Sequence, residues 1–225
     1  MLFRSVNGQR STGTALSARA GYRAGLLAIL AWAPALRAQA TRATGIEIGT
    51  VLGYGAARLT GQEGGLRRLG GAYFGFLVGI PVAGPVGLEP QAILTRKGGE
   101  LGAAFAQPGF LADQVYLEAP VLLRLSARLG RLRLRGFGGP APAIRLGCDV
   151  QGLVASETER PTCGELQVAA SDFDLGVLYG FGIDLRAGSL LLRADGRLVE
   201  GRQSIGPAGS RIRNRQWVGA VGFSF

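Results

Sequence analysis

The chain carries charge in quantity but little of what catalysis uses: its 225 residues include 25 Lys+Arg, 15 Asp+Glu, 2 cysteines and no histidine. The charged residues that recur at strand-like spacing are Glu47, Glu89, Glu118, Asp172, Asp174, Asp184 and Asp195, set against Lys97, Arg124, Arg133, Arg135, Arg145, Arg193 and Arg197. Such a set does ion-pair chemistry, since the planar fork of arginine grips a carboxylate at two points. Nucleophilic catalysis would need a base beside a hydroxyl or carboxylate, and the usual base is histidine. No motif marks a Ser–Asp or Asp–Asp substitute, so neither a catalytic residue nor a cofactor is expected. The glycine-rich stretch 176–182 lacks the Lys-Ser/Thr and following helix of a phosphate cradle. Two thiols without histidine do not make a structural zinc site, so no metal is expected. In a chain bound for an oxidising compartment, Cys148 and Cys163 are expected to form a disulfide contributing on the order of 3 kcal/mol.

The elements that must position these groups are clearest in residues 171–186, SDFDLGVLYGFGIDLR. Phe173, Leu175, Val177, Tyr179, Phe181, Ile183 and Leu185 share one face of an extended chain. Asp172, Asp174, Gly176, Leu178, Gly180, Gly182, Asp184 and Arg186 share the other. An unbroken apolar face opposed by glycines and aspartates fits a wall with lipid outside and a polar interior.

Apolar residues make up 47% of the chain and glycine is abundant at 38, yet no segment offers the ~18 consecutive apolar residues of a spanning helix. Residues 1–40 read as a cleaved signal peptide. Arg4, Arg10, Arg19 and Arg23 form a basic leader, residues 25–36 a short apolar stretch, and Ala38-Gln39-Ala40 a small-x-small cleavage site. Residues 41–225 then form one domain. It keeps 20 of the 25 basic residues and all 15 acids, a balance of +5. Without basic blocks interleaved with aromatics, no nucleic-acid partner is expected.

Period-two alternation recurs eight times, predicting an all-β, eight-stranded antiparallel up-and-down transmembrane β-barrel. The connections alternate between long and short. Residues 55–69, 98–112, 149–170 and 200–211 are the expected long loops; residues 81–85, 126–131 and 187–188 are the expected short turns. Residues 113–125 form one predicted strand. Pro140 and Pro142 interrupt the next, and a bulge or break is expected there. Tyr54, Phe173 and Trp217 would mark the outer interface, with Phe223 and Phe225 at the inner one.

The residues Leu88-Glu89-Pro90-Gln91, the run 116–124 (YLEAPVLLR), Phe137-Gly138-Gly139-Pro140, the run 180–185 (GFGIDL) and the ending Asn214-Arg215-Gln216-Trp217 through Phe225 resemble the PorT-like outer-membrane β-barrel proteins. The resemblance implies an eight-stranded barrel whose members mostly lack an assigned activity. The ending, with Trp217, Val221, Phe223 and the terminal Phe225, resembles the aromatic signal read by the barrel-insertion machinery, a transient partner.

An eight-stranded lumen is barely wider than its own side chains, so the inward charges are expected to close into an ion-pair plug. The chain then reads as a monomeric outer-membrane barrel with a structural or surface-interaction role. Two alternatives are a narrow small-solute channel and a soluble lipocalin-like barrel, the latter inverting the faces to hold an apolar ligand. Arg211, Arg213 and Arg215, above the last strand, are candidates for contact with lipopolysaccharide phosphates through charge-assisted bonds, against the simpler reading of a solvated loop.

Overall fold

A computed structural model describes residues 45–61, 64–101, 111–151, 171–204 and 212–225; the predicted leader lies outside them. These residues form nine strands in one sheet, with no helix among them: β1 (Glu47–Thr60), β2 (Gly64–Ala83), β3 (Val86–Leu101), β4 (Leu111–Glu118), β5 (Val121–Leu129), β6 (Leu132–Gln151), β7 (Phe173–Ala187), β8 (Leu190–Gly201) and β9 (Arg213–Ser224). All pairs are antiparallel. The sheet closes where β1 meets β9, in register from Gly49 opposite Ser224 to Thr60 opposite Arg213.

Nine segments make eight staves, because β4 and β5 both lie between β3 and β6. The one predicted strand over 113–125 is thus interrupted at Ala119-Pro120. The cause is a cluster of prolines. Ala119 donates its N–H to the carbonyl of Pro142 at 2.8 Å, so the peptide edge of Pro142 faces this stave and has no N–H to return. Pro120 accepts from Gln91 at 2.9 Å and likewise cannot donate to β3. The ladder to β6 stops at Glu118 opposite Ala143 and resumes in the same register at Leu123 opposite Gly138. The break expected at Pro140 and Pro142 therefore falls on the neighbouring stave, while β6 runs through. A bulge does occur in β6, further along, where Val115 and Tyr116 face Gly147 and Arg145 and leave Leu146 unpaired.

Three short turns join β2 to β3, β5 to β6 and β7 to β8. Each contains a glycine at positive φ, namely Gly84 (50°), Gly130 (63°) and Gly188 (65°). Nothing lies within 4 Å of where their Cβ atoms would stand, so backbone angle rather than space selects glycine. At the opposite end the expected loops are shorter than the sequence suggested. Residues 55–69 are mostly strand: β1 runs to Thr60 and β2 starts at Gly64. Ala57 and Leu59 stay on the inward face, fully buried, and continue the alternation through a stretch whose arginines and glycines look loop-like.

The inward and outward faces fall as the period-two reading placed them. Leu52, Phe76, Leu94, Leu117, Leu134, Leu175, Phe181, Leu192 and Val221 point outward and are exposed, Phe181 by 74%. Glu89, Lys97, Glu118, Arg124, Arg135, Asp184, Arg193 and Arg197 point inward and are buried. A lipocalin-like inversion of the faces is therefore excluded. Two apolar clusters share the interior, one of Val51, Tyr73, Leu77, Ile93, Val218 and Ala220, the other of Leu122, Phe137, Ala141, Leu178 and Val199.

Candidate functional site

The inward charges gather into one network at the end of the barrel that carries the short turns. Glu47, from the start of β1, accepts from Arg124 at 2.8 Å, from Arg133 at 3.0 Å and from Arg193 at 2.8 Å. Glu89 of β3 accepts from Arg124 at 3.2 Å, Arg193 at 3.0 Å and Gln91 at 2.8 Å. Asp184 of β7 divides its two oxygens between the Nε atoms of Arg133 (2.6 Å) and Arg135 (2.7 Å). Asp195 of β8 bonds Arg135 and, at 2.7 Å, Arg197. Six strands thus contribute five guanidiniums and four carboxylates, and each carboxylate is shared between at least two of the arginines. Because the partners come from across the lumen, the network ties opposite walls together.

Neutral side chains complete it. Arg197 donates to Tyr73 Oη at 3.0 Å and to Gln91 Oε1 at 2.9 Å, and Arg193 Nε donates to Ser224 Oγ at 3.2 Å. The guanidiniums of Arg135 and Arg197 each lie 5.5 Å from the Phe137 ring centroid, and that of Arg197 5.4 Å from the Tyr73 ring centroid. Tyr73, Phe137 and Ser224 were not among the residues singled out by charge. Their inward parity was the signal that could have found them. Glycine makes the room: a methyl group at Gly182 would overlap the Asp195 carboxylate, and one at Gly180 would come within 2.9 Å of the Phe137 ring.

Lys97, Glu118, Asp174, Arg145 and Asp172, also expected in it, sit elsewhere. Lys97 and Glu118 form their own ion pair nearer the opposite end, with the Lys97 ammonium 5.3 Å from the Tyr116 ring centroid. Asp174 is buried but forms no ion pair with an arginine among the described residues. Arg145, beside the β6 bulge, lies at that far end as well and pairs at 2.7 Å with the exposed Asp172. Cys148 is not a free thiol; Cys163 and Arg211 lie outside the described residues. Arg213 is exposed, and Arg215 is held by Glu200 at 3.2 Å.

Arg197, Tyr73, Tyr116 and Lys97 are among the largest fully buried side chains, so the lumen is filled rather than open. A cavity of about 420 Å³ lies at the short-turn mouth, between Pro81, Pro85 and Arg128, and reaches the layer formed by Glu47, Arg124 and Arg133. Among the described residues no cluster of three or more His, Cys, Asp or Glu could hold a metal ion. Every carboxylate of the short-turn network is capped by arginine, which leaves no free base beside a nucleophile. The arrangement can brace and seal a tube.

No family model and no curated protein matches the chain. Among solved structures it is similar to Ail, the attachment invasion locus protein of Yersinia pestis, at 13% identity over 80% of this chain and 99% of that one, with a TM-score of 0.41. It is also similar to Neisserial surface protein A at 10% identity over 81% and 98%, TM-score 0.47. The outer membrane protein OprG from Pseudomonas aeruginosa matches at 14% identity over 79% and 94%, TM-score 0.48.

Proposed function

We propose that the chain is a bacterial outer-membrane β-barrel whose lumen is plugged by its own side chains and which serves a structural or surface-interaction role. The observation that carries this reading is the pairing of faces. Large apolar side chains are exposed on every stave of a closed ring, while the paired arginines and carboxylates of the network are buried inside it. Soluble monomers rarely expose contiguous apolar patches beyond a few hundred Å². A belt around the whole circumference needs lipid, and a closed barrel leaves no backbone edge unpaired in it.

The resemblance to PorT-like barrels belongs to this proposal. Its most specific run, residues 116–124, coincides with the proline-interrupted stave, a feature that period-two alternation alone does not require. Export through the periplasm, a disulfide between Cys148 and Cys163, transient recognition of Trp217, Val221, Phe223 and Phe225 by the insertion machinery, and a monomeric state complete it.

The test is electrophoretic mobility of the mature chain from an outer-membrane fraction, heated against unheated, together with planar-bilayer conductance. A detergent-extracted species with a heat-dependent shift and no stepwise conductance is expected. A soluble chain without a shift would overturn the membrane assignment, and stable unitary conductance would replace the plug with the small-solute channel.

A further inference from the structure

The outward face of β9, β1, β2 and β3, at the end away from the short turns, gathers arginines that lie far apart in sequence. Arg58 of β1 stands directly opposite Arg215 of β9. The β1–β2 ladder ends at Ala57 opposite Leu69, and Arg58 and Arg68 are the next residues of the two strands beyond it. Arg213 shares the face of Arg215, two residues further along, opposite Thr60. Arg96 of β3 is exposed beside Gly71 of β2, where an added Cβ would touch its own. Immediately toward the short-turn end, on the same outward parity, are Tyr54 and Trp217, exposed by 66% and 53%.

The protein neutralises only part of this patch. Asp113 pairs with Arg96, and Glu200 pairs with Arg215. Arg58, Arg68 and Arg213 have no ion pair among the described residues, and Arg58 Nε is buried without any hydrogen-bond partner. Like charges set directly opposite one another across a sheet repel. They are tolerated where an external anion bridges them, and arginine binds phosphate oxygens with two parallel bonds.

We propose that this patch binds the phosphate groups of the glycolipid of the outer leaflet, lipopolysaccharide. The inference rests on the membrane reading above and extends it to a named surface. Tyrosine and tryptophan mark headgroup level in membrane barrels, and the apolar belt continues below them. The arginines stand one step further out, at the height where phosphates lie. The end away from the short turns is the outer one, because the short turns, and with them the start of β1 and the end of β9, face the periplasm in such barrels. The linear run of Arg211, Arg213 and Arg215 is thereby replaced by a site assembled from four strands.

The test uses the full mature chain in detergent, with lipid A carrying both phosphates and the same lipid dephosphorylated as probes. Wild type is compared with R58Q/R68Q/R213Q and with R128Q/R131Q/R186Q, which removes the same charge from exposed positions at the short-turn end. Wild type and the short-turn variant are expected to bind phosphorylated lipid A alike. R58Q/R68Q/R213Q should lose affinity by on the order of a hundredfold, from about fivefold for each of the three headgroup-level cations. Its heat-dependent mobility shift should remain. Equal affinity of the two triple variants, or equal binding of dephosphorylated lipid by wild type, would overturn the proposal while leaving the barrel standing. A wild-type chain that needs no detergent and shows no shift would overturn the membrane reading, and this site with it.

Discussion

Replacing Asp184 by Asn keeps the shape of the side chain and removes one negative charge from the point where Arg133 and Arg135 converge. Asp184 is fully buried, and its two oxygens take the Nε–H groups of those arginines at 2.6 and 2.7 Å. Removing one member of a buried ion pair costs about 3–5 kcal/mol, because the remaining charge is left uncompensated. Here Arg133 keeps Glu47 and Arg135 keeps Asp195, so the expected loss lies at the lower end, about 3 kcal/mol, or roughly a hundredfold in the folding equilibrium. Urea unfolding in lipid vesicles measures it. Trp217 serves as the probe, since the other of the 2 tryptophans is Trp32, in the predicted leader. The double variant D184L/R135M removes one charge of each sign and leaves Asp195 with Arg197 and Arg133 with Glu47. A buried pair roughly breaks even against apolar groups of similar volume, so this variant should recover to within about 1–2 kcal/mol of wild type. A D184N cost under about 1 kcal/mol, or a double variant weaker than the single one, would refute the idea that paired charges brace the lumen.

Placing a charge on the outer wall by F181R should cost about 2–4 kcal/mol in vesicles if that face meets the bilayer midplane; a neutral result in the same urea titration would contradict the assignment of faces. In the β7–β8 turn, G188A forces a side chain into φ of 65° and should cost about 1–2 kcal/mol. By contrast G219A, at an outward position with open space and no positive φ, should change stability by under about 0.5 kcal/mol. If the disulfide forms, C148S should remove the difference in mobility between reduced and non-reduced denatured chain and lower stability by about 3 kcal/mol. Equal mobility of the reduced and non-reduced wild-type chain would refute the bridge.

Much of this barrel is legible locally. In residues 171–186 a single period-two pattern assigns both faces of β7, and the same test places Tyr73, Leu77, Glu89, Gln91, Arg124, Arg193 and Asp195 inward. Glycine beside proline or a turn residue marked the β2–β3 and β7–β8 connections, because positive φ is a property of one residue. Composition misled where it stood in for alternation: residues 55–69 look like a loop, but Ala57 and Leu59 keep the inward parity and the strands continue. The prolines of β6 signalled a disturbance correctly. Its location on the neighbouring stave depends on which edge each peptide presents, and that needs the partner strand.

Side-chain direction along an extended strand is set by the pleat, so the sequence by itself determined the all-β class, the eight staves and, apart from the exposed Asp172, which charges enter the lumen. Only the tertiary structure decided that Glu47 gathers Arg124, Arg133 and Arg193, that Asp174 stands apart, that Arg145 turns to Asp172, and that Arg58 meets Arg215. Those contacts join residues up to 157 positions apart along the chain, as Arg58 and Arg215 are. They follow from the stagger of the strands and the closure of β1 on β9, which no local period encodes.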